Sequence, residues 1–364
     1  RNYELIPVRY EADEIPLIKE HMDTYGFVVI KNGATKGEIE YSKELLWTYL
    51  REQYGWEKEN PRTWSDKAYE NSGDSKTGLI NNSHCEAFWY LRCLTGVING
   101  FKSLYDTDDL VCSYDRMAIN RPLQCEQRSI YELSEEVNNY PYLWSKELHK
   151  HYNIDGFGEN ASIYYGFLSM DDSNTWTGTT AIVPFSHLEK NIELINENYY
   201  KNKDQLMKST DPYIYHRIFT DCGLIPSPVK LQHGDLMIID TKLYHCGCPA
   251  LNFDSDEILR ILPVISMVPR KILSPSILKI RSYYYNLQKS TGGSLLGKLT
   301  KKECKQILGK QLLDDISEEE YIVTNDEKIR KLIGDNYDFS DAPNYSRVFT
   351  EPNYEIGEHY HNFI

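Results

Sequence analysis

Hydrophobic and polar positions along the chain change their period several times, and each change marks an element. Residues 14–23, "EIPLIKEHMD", have apolar positions at helical spacing, and "YGFVVIKN" (25–32) follows as a short buried strand. "TKGEIEYSKELLWTYLREQYG" (35–55) predicts a long amphipathic helix stopped by Gly55. "HCEAFWYLRCLTGVINGFKSLYD" (84–106) predicts a second helical segment, and "LVCSYDRMAINRP" (110–122) a single strand ended by Pro122. Residues 123–148 are polar and charged and read as an insertion. "ASIYYGFLSMDD" (161–172) and "TGTTAIVPFSH" (177–187) predict two strands, and 188–222 helices and loops. Three more short β-like runs lie within 229–268, and the pattern from 271 to 364 is helical and charged. Helices, then many short strands, then helices indicate a mainly β protein, an antiparallel barrel or sandwich with helical flanks.

Composition narrows the partners. The 364 residues carry a formal charge of −14, and the longest basic cluster is "KLTKKECK" (298–305), so the concentrated Lys/Arg footprint of a nucleic-acid binder is missing. No apolar run reaches the ~18 residues a membrane span needs. The opening "RNYELIPVRYEADE" lacks the pattern of a signal peptide, and Arg1 in place of Met leaves room for sequence upstream. Eight scattered cysteines without a CxxC fit free thiols in a reducing compartment. The expectation is a soluble, intracellular, cytoplasmic protein. The 29 tyrosines fit a residue bias shared with Asn, Ile and Lys.

Three places carry chemistry. Arg260 stands in "EILRILPVISMV", an apolar strand on which a guanidinium faces the interior and requires a partner. That partner is either an Asp or Glu of this chain or an external carboxylate, which the planar fork of donors suits. His245 ends the run "DLMIIDTKLYH" before a "CGCP" turn, so an imidazole and a guanidinium fall on successive strands. His149 and His151, in "LHKHYN", are two apart and on a strand would point the same way, able to reach one ion; the plain alternative is two solvated histidines.

With these residues in view, "GDLMIIDTKLYHCGCPALNFDSDEILRILPVISMVPR" (234–270) resembles the C-terminal core of the phytanoyl-CoA dioxygenase family. That family comprises oxygenases dependent on Fe(II) and 2-oxoglutarate. "GTTAIVPFSH" (178–187) is similar to the family strand that ends in a Pro-Gly-Ser-His turn, with Phe185 in place of glycine. Residues 84–117 and "GFVVIKN" are similar to earlier elements, so the resemblance spans most of 15–270. It implies a double-stranded β-helix (jelly-roll or cupin-like) barrel over residues 1–270, with the insertion near 123–148 and a helical C-terminal extension, 271–364, on the same domain. It further implies that His245 is the distal metal ligand and that Arg260 binds the far carboxylate of 2-oxoglutarate.

The family carries His-x-Asp where this chain has His149-Lys150-His151. His149, His151 and His245 would then hold Fe(II), or Asp155, four residues past His151, would supply the carboxylate or accept a histidine N–H. "HCE" (84–86) has His-x-Glu spacing but falls in the helical segment, so it reads as coincidence. Three neutral imidazoles give less electron donation than two plus a carboxylate and also suit other first-row metals. The implied activity is hydroxylation of a small-molecule substrate, coupled to conversion of 2-oxoglutarate to succinate and CO2. Ser113, Asp115 and Tyr165 are placed by the resemblance at the border of the pocket. The rival readings are a pseudoenzyme of the same fold with a binding or regulatory role, and a metal cupin with no use for Arg260.

Overall fold

The computed structural model describes residues 4–70, 78–80, 82–122, 163–248 except 209–218, 250–252, 255–273, 327–334 and single positions between 278 and 290; for 199–208 it describes the backbone alone. In chain order the first elements are β1 (Arg9–Tyr10), α1 (Ile15–Tyr25), β2 (Phe27–Ile30), α2 (Lys36–Tyr54), β3 (Leu79–Ile80), α3 (Glu86–Arg92) and α4 (Thr95–Tyr105). The later strands are β4 (Leu110–Cys112), β5 (Met117–Asn120), β6 (Tyr164–Leu168), β7 (Thr179–Ile182), β8 (Ser227–Pro228), β9 (Leu236–Asp240), β10 (His245–Cys248) and β11 (Arg260–Pro269). A helix, Glu189–Lys208, lies between β7 and β8, and a short one, Glu327–Ile333, follows β11.

Local signals account for the predicted elements that hold. Thr35 and Glu38 form a reciprocal capping box at the start of α2, and Gly55 closes it in the left-handed conformation. β2, β6, β7 and β9 fall inside the runs expected of them. The segment 84–106 differs from a single helix because Leu94 is extended (ψ 136°) and buried. The break lets α3 lie on α2 while α4 lies on α1, β9 and β11.

Among the described residues the strands form two sheets, of eight and three strands, and not a closed barrel. The larger has the order β1-β2-β9-β6-β11-β5-β3, with β4 also on β11; the smaller is β10-β7-β8. Apart from β1 with β2, which is parallel, neighbouring strands run antiparallel. One face of the large sheet meets the helices through Ile30, Leu46, Phe88, Phe101, Ile119 and Ile265. The other face meets the small sheet through a second apolar layer that joins Val29, Phe167, Met237 and Leu262 to Ile182 and Val229.

The run 110–122 is not a plain strand. β4 and β5 lie along one edge of β11, where Cys112 is opposite Met267 and Met117 opposite Pro263. Four residues, 113–116, thus face three, 264–266, which is a β-bulge. Ser113 closes it from one side, its N–H donating to Ser266 O (2.8 Å) and its Oγ accepting from Ser266 N–H (3.2 Å). The bulge reverses the alternation of sides. Cys112 and Tyr114 face the helices, and so do Met117 and Ile119 beyond the bulge, whereas Ala118 turns into the layer between the sheets. Asn120 follows Ala118 onto that side.

Candidate functional site

The run "DLMIIDTKLYH" is two strands in different sheets. Asp240 ends β9 by an Asx turn, its Oδ1 accepting from Lys242 N–H (2.7 Å) and its carbonyl from Leu243 N–H (2.9 Å). The chain then crosses to the small sheet, and His245 becomes the first residue of β10. Two bonds seat it there: Val183 N–H donates to Tyr244 O (2.8 Å) and Tyr244 N–H to Ser186 Oγ (2.9 Å). Ser186 belongs to the "PFSH" turn. Phe185 in that turn has φ +69°, a left-handed conformation that a bulky side chain rarely adopts and that glycine takes freely. Its ring lies 5.1 Å from that of Tyr25.

His245 is buried, with its ring 6.1 Å from Phe167. Its Nδ1 lies 2.9 Å from Leu243 O. A carbonyl only accepts, so Nδ1 carries the proton, and in the neutral ring the lone pair is on Nε2. Metal-binding histidines are commonly oriented through such a backbone carbonyl, an arrangement also usual in structural histidines.

Register fixes where His245 faces. On β10 and β7, His245 is opposite Ile182 and Gly247 opposite Thr180. Cross-strand partners and alternate residues share a side, so His245, Gly247, Thr180 and Ile182 all face the large sheet. From that sheet Arg260 reaches back. Its Nη2 donates to Thr180 Oγ1 (3.2 Å) and its Nη1 to Asn120 Oδ1 (3.4 Å). His245 and Arg260 therefore open onto one inter-sheet layer from opposite walls.

Arg260 is 2% exposed, and among the described residues its Nε has no hydrogen-bond partner. Among the described residues no carboxylate pairs with it, so the internal salt bridge that the sequence left open is not formed there. Burial lowers its pKa to about 10, with Asp171 and Cys248 only partly opposing. Asp171 is engaged elsewhere, by Lys43 Nζ (2.5 Å) and Ile261 N–H (3.1 Å). A desolvated guanidinium whose Nε lacks an acceptor among the described residues has the chemistry to pair with an anion.

The other residues singled out in the sequence fall as follows. His149, His151 and Asp155 lie outside the described residues, as does the insertion at 123–148. Ser113 closes the bulge. Asp115 is buried in the bulge, accepts from Arg116 N–H (2.7 Å), and has its pKa raised by burial. Tyr165 is in the inter-sheet layer. His84 packs among Trp89, Tyr114 and Tyr285 while Glu86 is exposed, so the two do not converge. Among the described residues no three His, Cys, Asp or Glu side chains are grouped to hold a metal. Asn120 and Thr180 were not singled out by the sequence reading, and their role comes only from the bulge and the sheet register.

The turn at Gly234 and Asp235, which opens the 234–270 run, is structural. Gly234 has φ +84°, and a Cβ there would sit 2.5 Å from Ala34 O. Asp235 is buried and accepts from Arg9 Nη2 (2.6 Å) and Nε (2.9 Å) and from Gln232 N–H (2.8 Å). Among the described residues no helix is long and apolar enough to cross a membrane, and Cys85, Cys93, Cys112, Cys222, Cys246 and Cys248 form no disulfide with one another.

Set against known proteins, the chain matches no family model. It is 23% identical over 295 residues to "Ava biosynthesis cluster protein O" of Aspergillus versicolor, covering 76% of this chain and 87% of that protein. Among solved structures it is similar to the non-heme alpha ketoglutarate dependent carbocyclase SnoK from nogalamycin biosynthesis (TM-score 0.46, 12% identity, 71% of this chain and 86% of that one). It is also similar to the epimerase SnoN in complex with Fe3+, alpha ketoglutarate and nogalamycin RO (TM-score 0.43, 12% identity, 72% and 86%). A third is AviO1 from Streptomyces viridochromogenes Tue57 (TM-score 0.41, 13% identity, 69% and 93%).

Proposed function

We propose that this chain is a non-haem Fe(II)/2-oxoglutarate-dependent oxygenase of the double-stranded β-helix type, resembling the phytanoyl-CoA dioxygenase family and acting on a small molecule. The observation that carries the reading is Arg260. It is a buried cation without a carboxylate partner among the described residues, and it faces the same layer as a histidine whose Nδ1 is already engaged. The donor set fits the groups. A 2-oxoglutarate carboxylate offers two oxygens to the guanidinium N–H groups, and His245 offers Nε2 to a divalent metal.

In this reading His245 is joined at the metal by His149 and by either His151 or Asp155. When bound, Fe(II) with 2-oxoglutarate supplies O2 activation and hence oxidation of a substrate C–H bond. The residues of this chain have simpler tasks. Leu243 O holds the His245 ring in one tautomer, Arg260 neutralises the distal carboxylate, and the apolar side chains of the layer exclude water. A small-molecule substrate accords with the likeness to a biosynthesis-cluster protein.

The second reading is a pseudoenzyme of the same fold with a binding or regulatory role, metal-free or holding a metal, in which Fe(II) and 2-oxoglutarate are not assembled together. It is favoured by one feature, His151 standing where the family has a carboxylate. An anaerobic titration of the Fe(II)-loaded protein with 2-oxoglutarate, followed by the visible metal-to-ligand charge-transfer band, tests both. The oxygenase reading expects the band in the wild type and its loss in Arg260→Ala. A band seen only after His151→Asp hands the lead to the pseudoenzyme reading.

A further inference from the structure

The two acceptors that hold Arg260 are neutral, and they come from different sheets. Asn120 is its cross-strand partner on β5, and Thr180 is on β7. Together they tie down both Nη atoms and so fix the plane of the guanidinium, while among the described residues Nε has no partner. The Asn120 amide is itself confined between two glycines in left-handed conformation. A Cβ on Gly178 (φ +93°) would sit 3.1 Å from Asn120 Oδ1, and one on Gly78 (φ +75°) would sit 3.0 Å from its Nδ2. The side chain is thus led to Arg260 by the bulge at 113–116 and held there by the absence of two side chains.

The choice of amide over carboxylate is the telling point. Aspartate has the same shape as asparagine and would place a negative oxygen at the same 3.4 Å from the guanidinium. In this buried layer such a pair would neutralise Arg260 permanently and compete with any incoming carboxylate. Asparagine supplies the orientation without the charge.

We propose that Asn120 is the positioning residue that keeps Arg260 aimed and electrically uncompensated, and that it thereby sets selectivity for a dicarboxylate over a monocarboxylate 2-oxoacid. The inference rests on the reading of Arg260 as a 2-oxoglutarate receptor. Thr180 shares the aiming and not the selectivity.

The test compares binding of 2-oxoglutarate with that of 2-oxovalerate, which lacks the distal carboxylate, by anaerobic isothermal titration of the full chain with Mn(II) present. In the wild type the dicarboxylate should bind on the order of 100-fold more tightly, the scale of a charge-assisted bidentate pair. In Asn120→Asp the preference should collapse to about threefold or less, with 2-oxovalerate binding unchanged. A merely structural role for Asn120 would weaken both ligands together. Wild-type protein that shows no preference overturns both this inference and the proposed function. A wild-type preference that survives intact in Asn120→Asp, or a parallel loss of both ligands, overturns this inference alone. Should Asn120→Asp not fold, as judged by circular dichroism, Asn120→Ala decides. A loss of about fivefold for 2-oxoglutarate only is expected, and an unchanged ratio of the two affinities overturns the inference.

Discussion

Two buried arginines on opposite sides of the large sheet differ in how fully the fold satisfies them. Arg281, fully buried on the helix side, donates to three main-chain carbonyls, those of Cys112, Leu332 and Ile333, and lies over the Tyr114 ring at 4.7 Å. It fastens the end of the helix Glu327–Ile333 to β4, and Arg270 adds a bond to Lys331 O (2.6 Å). Arg260, as deeply buried in the inter-sheet layer, meets neither a main-chain carbonyl nor a ring among the described residues. It has one amide and one hydroxyl at the long end of the hydrogen-bond range. Arg92 supports the contrast: its Nη atoms donate to Ser83 O (2.7 Å) and Asp115 O (3.0 Å), and it stacks on Phe88 and Trp89. Burial alone therefore does not separate the three arginines. What sets Arg260 apart is burial with few acceptors among the described residues.

The sharpest way to break this comparison is to replace each arginine by methionine. Arg281→Met strands three carbonyls at the junction of β4 and the last described helix. It should cost about 2–4 kcal/mol in urea unfolding while leaving 2-oxoglutarate affinity intact. Arg260→Met removes a cation that the fold leaves poorly compensated, so stability should stay within about 1 kcal/mol or rise, while 2-oxoglutarate binding is lost. Equal destabilisation by the two changes would show that Arg260 is structural after all.

A smaller effect concerns Asp115, buried in the bulge that aims Asn120. Burial raises its pKa above the ordinary 3.8, so the folded state holds the proton more tightly than the unfolded chain. Its contribution to stability is full below pH 3.8 and lost as pH rises through the folded value. Asp115→Asn keeps an acceptor for Arg116 N–H and removes the charge. Its melting temperature should exceed that of the wild type by a few degrees at pH 7, with the gap closing toward pH 3.8. A gap independent of pH would refute the burial argument. The smallest effect is at Phe185. Phe185→Gly relieves a left-handed backbone but forfeits the ring contact with Tyr25, and a net change within about 1 kcal/mol is expected, measured by urea unfolding.

Sequence patterning by itself determined the parts of this protein whose causes are local. Thr35, Glu38 and Gly55 delimit α2 because capping acts within one helical turn. The apolar runs of β2, β6 and β9 declare themselves because strands buried on both faces need little else. The guanidinium of Arg260 set in an apolar run called for a partner, an internal carboxylate or an external one, because an isolated buried charge is costly whatever surrounds it. Tertiary structure decided the rest. Whether Arg260 had an internal carboxylate depended on which strands β11 met. Read as one regular strand, 110–122 would put Asn120 on the same face as Cys112 and Tyr114, toward the helices; the single extra residue at 113–116 turns it to Arg260 instead. His245 and Arg260 became opposite walls of one layer only because Asp240 ends β9 and sends the chain to the other sheet. Strand alternation is a local property, but the face it presents is set by register, and register is fixed only when the partner strand is in place.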